Sequence, residues 1–165
     1  MKKIIAIAFL ALTTISCNQK VTPPTTLTVE NYYTIEMPGN LAPMENLFPN
    51  ADLQYGNTFK QVYFVATKEA KTEDSDFSAF IDKALARYNK KPNYEIVKEN
   101  EVRINGLPGK TYELKMSQNE TYMYMIQVMI EGQKANYEII SWTTSKNSEV
   151  ESEKLINIIS SFKEI

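Results

Sequence analysis

The stretch Thr121-Tyr122-Met123-Tyr124-Met125-Ile126-Gln127-Val128-Met129-Ile130-Glu131-Gly132-Gln133-Lys134-Ala135-Asn136-Tyr137-Glu138-Ile139-Ile140-Ser141-Trp142-Thr143 reads as two β-strands and a turn. Aromatic, β-branched and methionine residues fill both runs, and Glu131-Gly132-Gln133-Lys134 puts glycine at the first central position of a two-residue type II′ turn. Counting outward sets Val128 opposite Tyr137, Ile126 opposite Ile139, Tyr124 opposite Ser141, Met125 opposite Ile140 and Met123 opposite Trp142. A second two-residue turn at Gln118-Asn119 adds the preceding strand, with Leu114 opposite Met123 and Tyr112 opposite Met125. One face then gathers Tyr112, Leu114, Met123, Met125, Ile140 and Trp142, which a helix should cover. The other is mixed: Thr111, Glu113 and Lys115 stand beside Tyr122, Tyr124 and Ile126, with Ile139, Ser141 and Thr143 on the next strand. A one-residue slip at Gln118-Asn119 would exchange the faces of its strand.

Working outward, Tyr94–Glu99 and Lys110–Met116 read as strands separated by Asn105-Gly106-Leu107-Pro108-Gly109. Before them, Phe77, Phe80, Ile81, Ala84, Leu85 and Tyr88 recur with helical period between Asp76 and Asn89. Asp74 or Ser75 can cap that helix and Pro92 bars its continuation. Tyr32–Glu36, Leu53–Tyr55 and Gln61–Thr67 are further strands, the last two flanking Gly56-Asn57. The chain closes in a second helix, with Ser148 and Glu151 spaced as a capping box and Leu155, Ile158, Ile159 and Phe162 as its apolar stripe. Two main helices flanking an antiparallel sheet of about six to seven strands make an α+β sandwich.

At the other end, Met1-Lys2-Lys3, an apolar run from Ile4 to Leu12 and Ser16-Cys17 have the layout of a lipoprotein signal. The apolar run falls far short of the ~20 residues that span a bilayer. The expectation is a signal peptide over residues 1–16, a lipidated Cys17 opening a flexible tether over 17–31, and a single domain over 32–165. Cys17 is the only cysteine, and acylation consumes a thiol that could otherwise pair only between molecules. Attachment through several palmitate-type chains is stable where one chain is marginal. With Pro23 and Pro24 the tether would reach about 40 Å if extended. Asn18 is not the aspartate that retains lipoproteins in the inner membrane, which favours an outer-membrane anchor facing the periplasm.

Composition narrows the chemistry further. The chain has no histidine, which removes Ser-His-Asp and Cys-His nucleophiles and histidine metal sites. Net charge is −2 without a basic stripe, so nucleic acid is not expected as a partner. Ser160-Ser161-Phe162-Lys163 is formally an S-x-x-K but lacks any supporting motif. Glu73-Asp74-Ser75-Asp76 lacks the glycine turn and distal carboxylate of a calcium loop and reads as a helix N-terminus. Asn119-Glu120-Thr121 is a sequon that here marks a turn, and Met123, Met125 and Met129 read as core filler.

Tyr32-Tyr33-Thr34-Ile35-Glu36-Met37-Pro38, Ile104-Asn105-Gly106 leading into Tyr112-Glu113-Leu114, Tyr137–Thr143 and Ile158-Ile159-Ser160-Ser161-Phe162 resemble the PsbP-like superfamily. It includes a photosystem subunit, an import factor and small bacterial lipoproteins of the DcrB kind. The resemblance spans about residues 32–163. It implies an antiparallel sheet flanked by helices, acting as a binding or assembly module with no enzymatic activity and no catalytic residues to transfer; no metal or cofactor is expected.

The functional expectation is therefore a lipid-anchored, non-enzymatic envelope protein. It contacts the membrane through its N-terminal lipid and docks another envelope protein. The alternative is a small-ligand-binding lipoprotein using the tyrosine-lined face, with Tyr122, Tyr124, Glu113, Lys115, Ser141 and Thr143 as candidate contacts.

Overall fold

The computed structural model of the protein describes residues 22–89, 93–118 and 121–165. The expected signal peptide, Cys17 and the first part of the tether lie outside them, as do Pro92, Asn119 and Glu120. Among the described residues ten strands, two α-helices and one 3-10 turn follow in chain order: β1 Thr25–Val29, β2 Tyr33–Met37, β3 Ala42–Pro43, β4 Leu53–Asn57, β5 Val62–Ala70, α1 Phe77–Ala86, β6 Tyr94–Ile104, β7 Leu107–Gln118, β8 Thr121–Glu131, β9 Ala135–Thr144, the 3-10 turn Ser145–Asn147, α2 Ser148–Ser160 and β10 Lys163–Glu164. They form an antiparallel seven-stranded sheet in the order β3-β4-β5-β9-β8-β7-β6 and a three-stranded sheet β1-β2-β10.

Both faces of the large sheet are covered over its central strands, while β6 at one edge is mostly exposed. Phe80, Ile81 and Ala84 of α1, with Tyr88, pack on Val65, Tyr112, Leu114, Met116, Met125, Met129 and Ile140. Leu155, Ile158 and Ile159 of α2, together with Phe162 and Tyr33, Ile35 and Met37 of β2, pack on Val62, Phe64, Ile126, Val128, Ile130, Tyr137 and Ile139. The face with Tyr112, Leu114 and Ile140 is covered by α1, as its composition indicated. The mixed face is covered too, by α2 and the small sheet, and carries the larger of the two cores.

Register differs from the count while the faces survive. Gly132 N–H donates to Ala135 O at 3.0 Å, so the two central turn residues are Gln133 and Lys134. Val128 consequently faces Ile139, Met125 faces Trp142, and Leu114 faces Met125. Each displacement is two residues, and a period-two element keeps its faces under an even shift. Gly132 serves space: a Cβ there would meet the Glu164 carboxylate, Tyr137 Cε2 at 2.5 Å and Ala135 O at 2.7 Å. The glycine that does serve conformation is Gly106. With Asn105 at φ 48° and Gly106 at φ 88°, the pair forms a type I′ turn. β6 and β7 therefore run on to Ile104 and Leu107, and Leu107-Pro108-Gly109 is strand where a loop was expected.

Four further expectations change. Thr25–Val29, assigned to the tether, is a strand paired along β2 from Thr25 opposite Met37 to Val29 opposite Tyr33, so folded chain reaches back to Thr25. Gly56-Asn57 ends β4. Asp76 caps α1, accepting from Ser78 N–H at 2.7 Å and Ala79 N–H at 3.5 Å. The capping box does not form, because the 3-10 turn carries helical backbone into Ser148. The Ser148 hydroxyl donates to Ser145 O at 2.7 Å, and Glu151 pairs with Lys154 at 2.9 Å.

The last residues bind the small sheet to the β8–β9 turn. Glu164 accepts Gln133 N–H at 2.8 Å, Lys134 N–H at 2.9 Å and the Tyr137 hydroxyl at 2.7 Å. Burial by itself would raise the Glu164 carboxyl, but these donors outweigh it and hold the group below its ordinary range. Because the folded value is depressed, Glu164 stabilises the fold fully above the unfolded carboxylate range and loses that contribution as pH falls through the folded value. We expect Glu164→Gln to cost about 1–2 kcal/mol at neutral pH in urea denaturation, the difference from wild type shrinking progressively in acid. Gly132→Ala should cost about 1–3 kcal/mol by forcing the carboxylate and ring apart, read in the same assay.

Candidate functional site

β8 carries Tyr122 and Tyr124 on the same side, two residues apart. Tyr124 lies opposite Lys115 on β7 and Thr143 on β9, and Ile126 separates Glu113 from Ser141. All six candidate residues therefore share one sheet face, yet they do not share one surface. Ser141 and Thr143 are fully buried with the α2-side core, and the Ser141 hydroxyl donates to Ile126 O at 3.4 Å. The Tyr124 hydroxyl donates to Glu113 Oε2 at 2.7 Å, and Glu113 Oε1 sits 3.2 Å from Lys98 Nζ. Burial first, then the hydrogen bond to Glu113 and its charge, push the Tyr124 phenol well above its ordinary value. It is a fixed donor. Lys115 is exposed, and Tyr122 stands free at the strand tip opposite Ser117. A ligand on this face reaches Tyr122, Lys115 and the Tyr124–Glu113 pair, while Ser141 and Thr143 lie below.

The remaining motifs take structural roles. Asp76 is a cap, and Ser75 Oγ accepts Thr72 N–H at 2.8 Å. No metal-holding cluster occurs among the described residues. Ser160 ends α2 while Lys163 lies in β10, so S-x-x-K does not span one helical turn. Met125 and Met129 are buried, and the Tyr88 hydroxyl donates to Met125 Sδ at 3.5 Å.

A buried charge network on the α1 side escaped the sequence reading. Glu138 of β9 is 3% exposed, yet Arg87 at the end of α1 meets its Oε2 at 2.7 Å. The Gln127 amide donates to its Oε1. The Arg87 guanidinium also lies 4.9 Å from the Phe48 ring centroid. Burial, and then the Glu138 charge, raise the neighbouring Tyr88 phenol strongly. A hollow of about 360 Å³ opens over this network, lined by Phe48, Asn50, Lys83 and Arg87 with Glu138 at the bottom. A second hollow, about 270 Å³ and mainly apolar, lies between Pro38-Leu41 and α2, with Val62, Leu155 and Ile158 in its wall. One signal was present in the chain. Glu138 alternates with Ile140 and Trp142, a charged residue in phase with a core face, while the Arg87 that neutralises it comes from another element.

A family model described as DcrB matches residues 54–161. The chain belongs to the DcrB family. The matched span of this DcrB-family chain runs from β4 to the end of α2 and contains the whole β5-β9-β8-β7-β6 part of the sheet. A search of curated protein sequences finds no match. Among solved structures, the chain is similar to cyanobacterial PsbP (CyanoP) from Synechocystis sp. PCC 6803, with TM-score 0.67, 10% identity, and 91% of this chain and 98% of that one covered. It is also similar to LpqN of Mycobacterium tuberculosis, described as involved in cell envelope biogenesis (TM-score 0.63, 12% identity, 87% and 86% covered), and to PA94 from Pseudomonas aeruginosa (0.52, 16%, 82% and 95%). At these identities the likeness concerns the fold, which is the PsbP-like α+β fold expected from the sequence.

Removing Arg87 leaves an uncompensated buried carboxylate. Arg87→Ala should destabilise the fold by about 3 kcal/mol in urea denaturation, and adding Glu138→Gln to it should recover part of that loss.

Proposed function

We propose that this DcrB-family chain is a lipid-anchored, non-enzymatic protein of the cell envelope whose sheet domain docks another envelope protein. The family, the fold shared with LpqN and the lipoprotein-like segment ending at Cys17 support the envelope setting. The absence of histidine from the sequence supports a role without catalysis. An anchor facing the periplasm from the outer membrane accords with Asn18.

The observation that carries the docking is the open edge at β6. The edges of a sheet are where backbone hydrogen-bonding groups remain unpaired. At one edge, β3 is two residues long and includes Pro43, which has no N–H to offer. At the other, β6 runs for eleven residues, pairs among the described residues only with β7, and keeps eight of its side chains exposed. A partner can extend the sheet here by adding a strand. Lys98, Glu99, Glu101 and Arg103, and the register break between Ile96 and Lys98, restrict indiscriminate edge-to-edge association. Side chains that meet these charges decide which strand is accepted. The tyrosine-lined face, with two of its six residues in the core, is the weaker site for a ligand.

A photo-cross-linking p-benzoylphenylalanine at Asn100 of β6, compared with one at Ile156 on α2, tests this in intact cells. We expect one envelope protein to be captured from position 100 and not from 156, with capture reduced in a Cys17→Ala background. Equal, non-specific adducts from both positions would reject strand addition at β6.

A further inference from the structure

Close contacts and hydrogen bonds bring four separated segments to one end of the molecule. A Cβ on Gly39 would lie 2.5 Å from the Thr22 side chain and 2.8 Å from Pro23 O, so the chain enters the fold against Gly39. The Asn57 amide donates to Asn40 O at 2.8 Å, Lys60 N–H donates to Asn57 Oδ1 at 2.9 Å, and the Asn147 amide donates to Lys60 O at 3.2 Å. The entry point, the 39–41 loop, the β4–β5 tip and the corner between β9 and α2 are therefore contiguous. Val62 and Tyr124 both face Thr143, and Tyr122 extends two residues farther toward the same end. β6 also begins there, since Tyr94 faces Met116 and Met116 faces Met123.

The exposed large apolar side chains gather at that end. Phe59 is 94% exposed, Tyr122 68% and Val150 66%, and Ile96 and Val97 join them. Among the described residues only Ile156, on α2, and Ile165, beside the opposite end, are large, apolar and exposed elsewhere. Lys60, Lys115 and Lys146 are exposed in the same region, with Glu95 and Glu149 as acids near them among the described residues. Aromatic rings with lysines among them are the composition of a protein surface that meets lipid headgroups.

Chain length names the occupant. Cys17 precedes Thr22 by five residues, and five extended residues span at most about 18 Å. With Thr25 already in β1, most of the expected 40 Å tether is absent. An acyl anchor at Cys17 cannot hold this end far from the bilayer.

We propose that the end formed by the β4–β5 tip, the start of β8 and the start of α2 rests on the bilayer surface, with Phe59 and Tyr122 in the headgroup region. This inference rests on the lipid-anchor reading above. It orients the sheet upright, with the β8–β9 turn pointing away from the membrane and the long β6 edge standing open to partners along its side.

The test uses the lipidated chain, in which acylation consumes the Cys17 thiol, reconstituted in vesicles of equal parts phosphatidylethanolamine and phosphatidylglycerol containing nitroxide-labelled acyl chains. Phe59→Cys, Tyr122→Cys and Gln133→Cys are each labelled with bimane. Strong quenching at 59 and 122 with little at 133 supports the docking, and quenching at 59 and 122 no greater than at 133 overturns it. Intact mass of the mature protein checks the anchor separately. A mass without acyl groups would overturn the anchor reading, and flotation of the Cys17→Ala chain with the same vesicles would then decide the docking. Partition that falls at least tenfold in Phe59→Ala/Tyr122→Ala supports it; no flotation, or an unchanged partition, overturns it.

Discussion

Strands β8 and β9 lie at the middle of the seven-stranded sheet and are buried on both faces over most of their length. That single constraint organises the rest of the molecule. A strand apolar on both sides is stable only between two layers, so the pair must recruit cover twice. On one side α1 suffices. On the other, α2 shares the work with the small sheet, whose β1 and β10 flank β2 and bring the first and last parts of the folded region together.

The α2-side core closes on an aromatic cluster. Tyr33 and Tyr137 meet edge-on at 5.5 Å, Phe162 lies 5.1 Å from Tyr33 and 4.9 Å from Tyr137, and Tyr137 ends on the Glu164 carboxylate. Each such pair contributes about 0.5–1.5 kcal/mol beyond its buried area. The cluster links β2, β9 and the residues after α2, so the small sheet stays seated on the large one. The α1 side is held differently. Methionines fill its irregular space, and the Arg87–Glu138–Gln127 network fixes the end of the helix to the sheet. A buried ion pair adds little net stability over an apolar equivalent, but it tolerates few alternative positions for α1.

Two covered faces also shape what the protein can do. The central strands of this PsbP-like sheet are sealed on both sides, and what the sheet leaves open is its β6 edge, its ends and shallow hollows beside its helices. The β6 edge is protected by charge and a register break and still long enough to pair, whereas β3 is closed by Pro43. The exposed aromatic residues lie at the end where the chain enters. In the upright orientation proposed above, the edge would stay accessible while that end meets the bilayer.

Much of this was legible in the residues, for a definable reason. Periodicity identified α1, α2 and the strands of the hairpins, and the two faces of the central strands were assigned correctly although the pairing count was displaced by two residues at each turn. A period-two pattern carries face and not register. The strand at Thr25–Val29 was missed because Thr-Thr-Leu-Thr-Val beside two prolines resembles a linker until β2 supplies its partner. Candidate contacts were half legible: Tyr122 and Tyr124 do share a side with Glu113 and Lys115, but alternation cannot say that α2 buries Ser141 and Thr143. The sequence by itself determined the α+β class, the two-faced central hairpin and the exclusion of histidine chemistry, because composition and local period are properties of the chain alone. Tertiary structure decided which side chains remained accessible, which charges met in the interior and which tips came to lie at one end, because each of those depends on residues distant in sequence being brought together.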